Sequence, residues 1–397
     1  MAENSTRGLL RTLEEVRWDL WLAVTTLGLV LFGVVMVYSA SGFLASERFG
    51  STHYFLIRQI AWAALGLGAM VIAMRVDYHR YAQPAVVYGL LGVSVFLLVL
   101  TLFFPARNGA HRWITYGSWS AQPSELAKIA LIIFLARFLS RREEEGEIEG
   151  FWTTMLPACA ATGLLAALIM KEPDLGTTAM LGVIFVVMMF AGGVPLRQLF
   201  KLAPVLLVGG YLFIFRVGWR WDRITAFINP ELDPRGKGFQ VLQSLIAVGS
   251  GGVSGLGLAE GKQKLFYLPE PHADFIFAVI AEELGMIGAA TLVLVFGFLM
   301  WRGLRASRRA PERFGQLLAV GVTAMIIAQA FFNISVVLSL VPTKGIPLPF
   351  VSHGGSSLLF ALAAVGMLLN VSEQGVATGG RGDGAMGRRG DRATGRQ

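Results

Sequence analysis

The sequence predicts an all-α, polytopic membrane protein with about ten transmembrane helices, one large extracytoplasmic loop and both termini in the cytoplasm. Three observations carry that prediction. Of 397 residues, 54% are hydrophobic and only 15% charged, against roughly 25% charged in soluble domains, and the mean hydropathy is +0.60. Apolar runs of roughly 17–25 residues, the length that crosses a hydrocarbon core, recur about ten times along the chain. Between them, basic residues crowd into alternate segments, the asymmetry that orients helices in a membrane.

In chain order the runs fall at 18–41, 54–74, 82–104, 122–139, 152–169, 175–192, 199–216, 274–300, 315–339 and 347–371. The first is too long for a cleaved signal peptide, and no small-residue cleavage site follows it. With the N-terminus inside, the inner segments hold Arg7, Arg11, Arg17, Arg75, Arg80, Arg137, Arg141, Arg142, Arg197 and Lys201, then Arg302, Arg305, Arg308, Arg309 and Arg313. The short outer loops hold only Arg48, Arg107, Arg112, Lys171 and Lys344. The net charge of +8 therefore reports topology, and nucleic-acid binding is the wrong reading of it. Three regions result: a cytoplasmic N-terminal tail over 1–17, a transmembrane domain over 18–372, and a Gly/Arg-rich cytoplasmic tail over 373–397 that is expected to be disordered. The single cysteine, Cys159, lies in an apolar run, which leaves no intrachain disulfide and no thiolate cluster.

The segment 217–273 breaks the pattern of short loops. It is long, polar and glycine-rich, and loops of that length inside a compact domain tend to be functional or disordered. Apolar helical spacing over Val241 to Val248 predicts partial order, packed against the membrane. Arg220, Arg223, Arg235, Lys237, Lys262 and Lys264 run against the positive-inside trend, so an anionic ligand is expected on this side.

Within it, Tyr267-Leu268-Pro269-Glu270-Pro271-His272-Ala273-Asp274 delivers a carboxylate to the mouth of an apolar run. An ionisable group entering a membrane is costly and marks function. Asp274 is a candidate general base; the competing role is a helix N-cap, although Phe277 stands where a capping box would need Glu or Gln. Glu125 and Lys128, in Gln122-Pro123-Ser124-Glu125, share a helix face and can pair, either as a structural ion pair or at a cavity. Lys171-Glu172-Pro173-Asp174-Leu175-Gly176 reads as a charged turn. Gly345 to Ser357 places two prolines and paired glycines at the entry of a span, irregular backbone tolerated only where it lines protein or a cavity. His353 within it is a ligand, a proton carrier or a hydrogen-bonded structural residue. Of Glu282 and Glu283, at least one should face the bundle interior or water. No nucleotide loop, zinc spacing or Ser-His-Asp arrangement is present, which argues against ATP-driven transport.

These motifs together resemble the SEDS family (shape, elongation, division and sporulation) of bacteria. The resemblance rests on Gln243-Ser244-Leu245-Ile246-Ala247, Gly249-Ser250-Gly251-Gly252, Gln263-Lys264, Tyr267-Leu268-Pro269-Glu270, Asp274-Phe275-Ile276-Phe277 and Glu282-Glu283-Leu284-Gly285. Pro342 to Phe350 and Gly354-Gly355-Ser356-Ser357 add to it. Gln263-Lys264 and Pro342-Thr343-Lys344-Gly345 look more like the division branch than the elongation branch. His353 stands where the family usually has Tyr, and Ala273 where it usually has Thr. The resemblance implies a peptidoglycan glycosyltransferase that polymerises lipid II on the outer face of the bacterial cytoplasmic (inner) membrane, at the division septum. It implies Asp274 as base and some of Lys128, Arg223, Lys264 and Arg112 on the leaving pyrophosphate, with Mg²⁺ as a compatible bridge. Glu125 would orient Lys128, and Glu270, His272, Ser352, His353 and Ser356 would line the substrate cavity. The implied partners are a class B penicillin-binding protein transpeptidase of the FtsI type and other division membrane proteins. The alternatives are a lipid II flippase, an elongation-type polymerase and a non-catalytic scaffold for a transpeptidase.

Overall fold

The computed structural model describes residues 18–390 apart from 107, 108, 118, 216–224, 226, 235, 237, 266, 267 and 269. Eleven α-helices are traced among the described residues. They are α1 (Leu20–Phe49), α2 (Tyr54–Arg75), α3 (Pro84–Thr101), α4 (Pro123–Glu144), α5 (Leu156–Lys171), α6 (Leu175–Ala191), α7 (Leu196–Phe215), α8 (Phe239–Ser250), α9 (Ile276–Arg309), α10 (Arg313–Val337) and α11 (Gly355–Gly390). Every predicted span coincides with one helix; α8 is the helix expected inside the long loop. Seven stretches are long and apolar enough to cross a membrane: α1, α2, α3, Phe151–Lys171, α9, α10 and Gly355–Gly375 of α11.

Local chemistry sets the helix ends. Asp19 caps α1, its Oδ1 accepting from Leu22 N at 2.9 Å, and Gly50 closes it with φ 67°. Proline opens α3 and α4, where the missing N–H has no helical partner to lose. Asp174 caps α6. α4 is buried along most of its length, and α10 and α11 are the most enclosed of the membrane-length helices, so these three form the centre of the bundle. α11 packs along α2, α9 against α10, and α10 against α4 and α6. The outer helices leave Leu31, Ile72, Phe96 and Leu294 exposed, as lipid-facing surfaces require.

Three features differ from the sequence expectations. A short antiparallel hairpin, β1 (Ile114–Tyr116) with β2 (Trp119–Ala121), stands between α3 and α4; with three residues a side it is too brief for periodicity to reveal. Helical geometry continues to Gly390, past the expected end of order at 373, although its glycines each disfavour helix by about 1 kcal/mol. The eighth span starts at Ile276 and is broken at Gly285, which adopts φ 65° and ψ −166°.

That break is filled by the long loop. Leu256 N donates to the Glu282 carbonyl (3.1 Å) and Gly257 N to the Glu283 carbonyl (3.0 Å). Met286 N and Ile287 N donate to the Gly252 and Val253 carbonyls at 2.9 and 3.2 Å. The loop thus satisfies backbone groups that the break would leave bare at membrane depth. Gly251 and Gly255 permit the approach: a Cβ on either would collide with the backbone of Ala281 or Glu283.

Candidate active site

Asp274 lies on the loop two residues before α9. The N-cap of α9 is Phe275, and no side chain caps that helix, so the capping role does not apply. α10 holds the loop in place: Asn333 Nδ2 donates to the Asp274 carbonyl at 2.8 Å and to the Ile346 carbonyl at 2.7 Å. One amide therefore fastens the Asp274 loop to the Gly345–Ser357 segment. Among the described residues no hydrogen bond or ion pair engages the Asp274 carboxylate. Gly345 lies against it, and a Cβ there would collide with Oδ2. Burial pushes the Asp274 pKa up to about 6; the charges of Glu270 and Asp174 add to this, while Arg112 and Lys344 oppose it.

The Lys171–Gly176 turn, read from sequence as a charged turn, is the hub beside Asp274. Glu172 is fully buried and Asp174 nearly so. Asp174 accepts from Thr177 Oγ1 (2.8 Å) and Gln122 Nε2 (3.2 Å), and Lys344 Nζ stands 3.6 Å from its Oδ1. Arg112 donates through Nε to the Glu172 carbonyl at 3.2 Å and through Nη2 to the Pro173 carbonyl. Two cations, Arg112 and Lys344, are thereby fixed next to the free carboxylate. Thr101 Oγ1 donates to Glu172 Oε1, while Oε2 has no hydrogen-bond partner among the described residues. Burial pushes the Glu172 pKa up to about 7, opposed by the Thr101 bond.

Glu125 and Lys128 pair inside the bundle at 2.9 Å. Lys128 also donates to Gln329 Oε1 (2.7 Å), whose Nε2 donates to the Pro347 carbonyl (3.0 Å) and Ser357 Oγ (3.3 Å). The structure thus supports the ion-pair reading: the network ties α4, α10 and the segment before α11 into one unit beneath the site. Lys264 is likewise committed, 2.6 Å from Glu283 Oε1 and 3.2 Å from Ser39 Oγ. Glu282 accepts from the backbone of Lys262 and Gln263. Both glutamates are buried, and both anchor the loop to α9.

Ser352 Oγ donates to the Ala273 carbonyl (2.6 Å) and accepts from Leu348 N (2.8 Å). Ser356 Oγ accepts from Gln122 N at 3.1 Å. His353 Nδ1 meets Gln59 Oε1 at 3.1 Å, and its backbone N–H donates to the His272 carbonyl at 2.9 Å. Burial holds His272 down to about 3 and His353 to about 4, which keeps both neutral and favours the structural reading of His353. These residues shape the site by joining its loops. Glu270 is exposed and takes φ 49°, a strained value that projects it into an open cavity of about 800 Å³. Arg223 lies outside the described residues.

Sequence alone gives Arg48 only a topological role and singles out neither Arg58, which lines that cavity with it, nor Gln329 and Asn333, which hold the loops. Two polar amides on a predicted membrane span were the available signal for the latter pair. Among the described residues no three imidazoles, thiols or carboxylates converge to hold a metal ion. Mg²⁺ bound by one carboxylate together with substrate pyrophosphate would need no such cluster, and the chemistry of the site is derived from the protein's own side chains.

Fold and site together define a polytopic membrane protein with an unpaired carboxylate, flanked by cations, at one end of its helix bundle. A family model described as cell cycle protein, covering FtsW, RodA and SpoVE, matches residues 20–376. A probable peptidoglycan glycosyltransferase FtsW of Geobacter metallireducens is 44% identical over 360 residues, 90% of this chain and 95% of that protein. Stage V sporulation protein E of Bacillus subtilis is 44% identical over 89% of this chain and 96% of its own. Among solved structures, a chain from work on a peptidoglycan synthase complex that coordinates polymerization and crosslinking is 30% identical. It aligns with a TM-score of 0.74 over 90% of this chain and 98% of that one. The rod shape determining protein RodA of Thermus thermophilus aligns with a TM-score of 0.66 and 28% identity, over 89% and 96%. The chain belongs to the FtsW/RodA/SpoVE family.

Proposed function

We propose that Asp274 is the general base of glycan polymerisation in this chain. The chain is a peptidoglycan glycosyltransferase, the name carried by relatives that share 44% of its residues over nine-tenths of its length. The observation that carries the assignment to Asp274 is its carboxylate: unengaged among the described residues, raised toward neutrality, and set beside Arg112 and Lys344.

The chemistry follows from that geometry. A sugar hydroxyl of the acceptor attacks the anomeric carbon of a lipid-linked donor, and its proton passes to Asp274. The bond from the anomeric carbon to the pyrophosphate oxygen breaks, and the pyrophosphate leaves with the electron pair. Arg112 and Lys344 meet the charge that develops there, the electrostatic contribution that commonly dominates such reactions. One base and a stabilised leaving group are sufficient for inversion. Lys128 and Lys264 position loops through their buried pairs and do not meet the leaving group directly. The lipid-linked substrate is lipid II, the setting is the division septum, and the partner is a class B transpeptidase. The last is supported by the likeness to a chain of a peptidoglycan synthase complex.

A flippase would use the same charged residues, but the polar groups at depth are consumed in pairs: Glu125 with Lys128, Glu283 with Lys264. Paired in this way, they serve packing between elements, which favours the enzyme. The test is polymerisation of purified lipid II by this chain with its cognate transpeptidase, the crosslinking activity blocked. Long uncrosslinked strands are expected. Lipid II moved across sealed vesicles without any strand product would instead establish transport.

A further inference from the structure

The transfer proposed above joins two lipid-linked sugars, so two pyrophosphates reach the enzyme: one leaves and one stays. Arg112 and Lys344 account for one. We infer that Arg48 and Arg58 hold the other, which makes the cavity of about 800 Å³ beside Asp274 the site of the acceptor's headgroup. The inference rests on the glycosyltransferase reading and assigns its second substrate.

The cavity lies where the last turn of α1 and the first turns of α2 meet the loop leading to α9. Its volume suits a sugar with a pyrophosphate, since ligand pockets run from roughly 300 to 1,000 Å³. Among the described residues neither guanidinium enters an ion pair or a hydrogen bond. Among the described residues Glu270 is the one carboxylate in the lining, and it stands 3.6 Å from His272 Nε2 instead. Arg58 is held by its ring contact, 4.5 Å over Tyr54, which itself stacks on Phe49 at 3.8 Å. This fixes a planar, forked donor whose five N–H groups remain available, the geometry that matches phosphate oxygens. His272 is neutral through burial, so among the described residues the cavity carries two cations against one carboxylate. Glu270 belongs to the cavity lining and also acts on the Asp274 charge, so the two sites adjoin. An acceptor anchored at Arg48 and Arg58 would extend its sugar toward the base, while the donor's pyrophosphate sits at Arg112 and Lys344, which are not part of that cavity's lining.

Phosphate at a membrane surface has a second source, the headgroups of bulk anionic lipid, and the experiment separates the two. First-transfer rates are measured with a donor whose acceptor hydroxyl is blocked, held saturating, and unmodified lipid II varied as acceptor. The measurement is made in nanodiscs with and without phosphatidylglycerol. In the chain carrying Arg48→Gln and Arg58→Gln, the acceptor KM should rise at least tenfold in both lipids, with donor KM and kcat within about twofold. Restoring charge with Arg48→Lys and Arg58→Lys should recover part of the loss, since an ammonium supplies the charge but not the planar fork. An unchanged acceptor KM, an equal rise for donor and acceptor, or a rise confined to the phosphatidylglycerol discs would overturn the assignment. A second arm needs no turnover: on an Asp274→Ala background, undecaprenyl pyrophosphate should bind at two sites per chain and at one after the arginine changes. Two sites in both would also overturn it. Because this arm reads binding alone, it remains decisive if Asp274 proves not to be the base.

Discussion

Asp274 must be ionised to accept a proton, yet a carboxylate at its ordinary pKa is a weak base. Burial answers both needs by raising it to about 6, still below neutral pH. The rate of polymerisation should therefore fall about tenfold per pH unit below about pH 6, with one proton involved; a pH–rate profile flat down to pH 4.5 would contradict this. Gly345 is the residue that gives the carboxylate its room. Gly345→Ala should lower kcat by one to two orders of magnitude by displacing Oδ2, with lipid II binding retained. Glu172 makes a stability prediction. Its folded pKa of about 7 exceeds the unfolded value of 4.5, so its favourable contribution is complete below pH 4.5 and lost as pH rises through 7. Glu172→Gln should therefore raise the melting temperature by several degrees at pH 8 and by little at pH 5; equal effects at both would refute the buried-acid account. Of these residues, Asp274 announced itself in the sequence because it followed a polar loop into an apolar run, and Gly345 only as part of an irregular entry to the last span. Glu172 looked like part of a solvated turn, since nothing local records that Thr101, seventy-one positions away, closes over it.

At the scale of elements, the interruption of α9 at Gly285 joins the long loop to the membrane domain. Glu283 binds Lys264, Ser39 and the Ala259 amide at once, so α1, α9 and the loop share one buried charge. Lys264→Ala would strand that charge, a change that typically costs about 3–5 kcal/mol. It should lower the melting temperature sharply, whereas Lys264→Met combined with Glu283→Gln should recover much of the loss. Additive losses in the double variant would show that the pair carries no coupling. The helices themselves were legible because twenty-residue apolar runs have few alternative fates in a bilayer. The break was not: Glu282-Glu283-Leu284-Gly285 continues a helical pattern, and its non-helical geometry comes from a loop returning from thirty residues upstream. The β1–β2 hairpin escaped for a related reason, since Arg112 just before it is placed by the carbonyls of another loop.

Across the whole molecule, the groups assigned to chemistry come from three separate connections and from the facing ends of α1 and α2, and meet at one end of the bundle, while the buried pairs below them hold the helices in register. The ten predicted spans place both termini on the cytoplasmic side and the Asp274 loop outside. With Cys159 the only native cysteine, a cysteine-free background can test this. Single cysteines introduced at the exposed positions Ala259 and Arg308 should differ: the first and not the second should react with a membrane-impermeant maleimide on intact cells, and both should react once the membrane is permeabilised. The architecture could be anticipated from charge and hydropathy; the convergence could not, because it depends on contacts between segments far apart in the chain, such as Gln122 with Ser356, 234 positions on, and Gln59 with His353, 294 positions on. The measurement that bears most directly on the account is single-turnover glycosyl transfer from purified lipid II, comparing wild type with Asp274→Asn in the presence of the blocked transpeptidase. Asparagine keeps the size of the side chain and cannot take the proton. A rate lower by about 10²–10⁴, with lipid II binding and folding unchanged, is the predicted result; transfer at the wild-type rate would show that the base lies elsewhere.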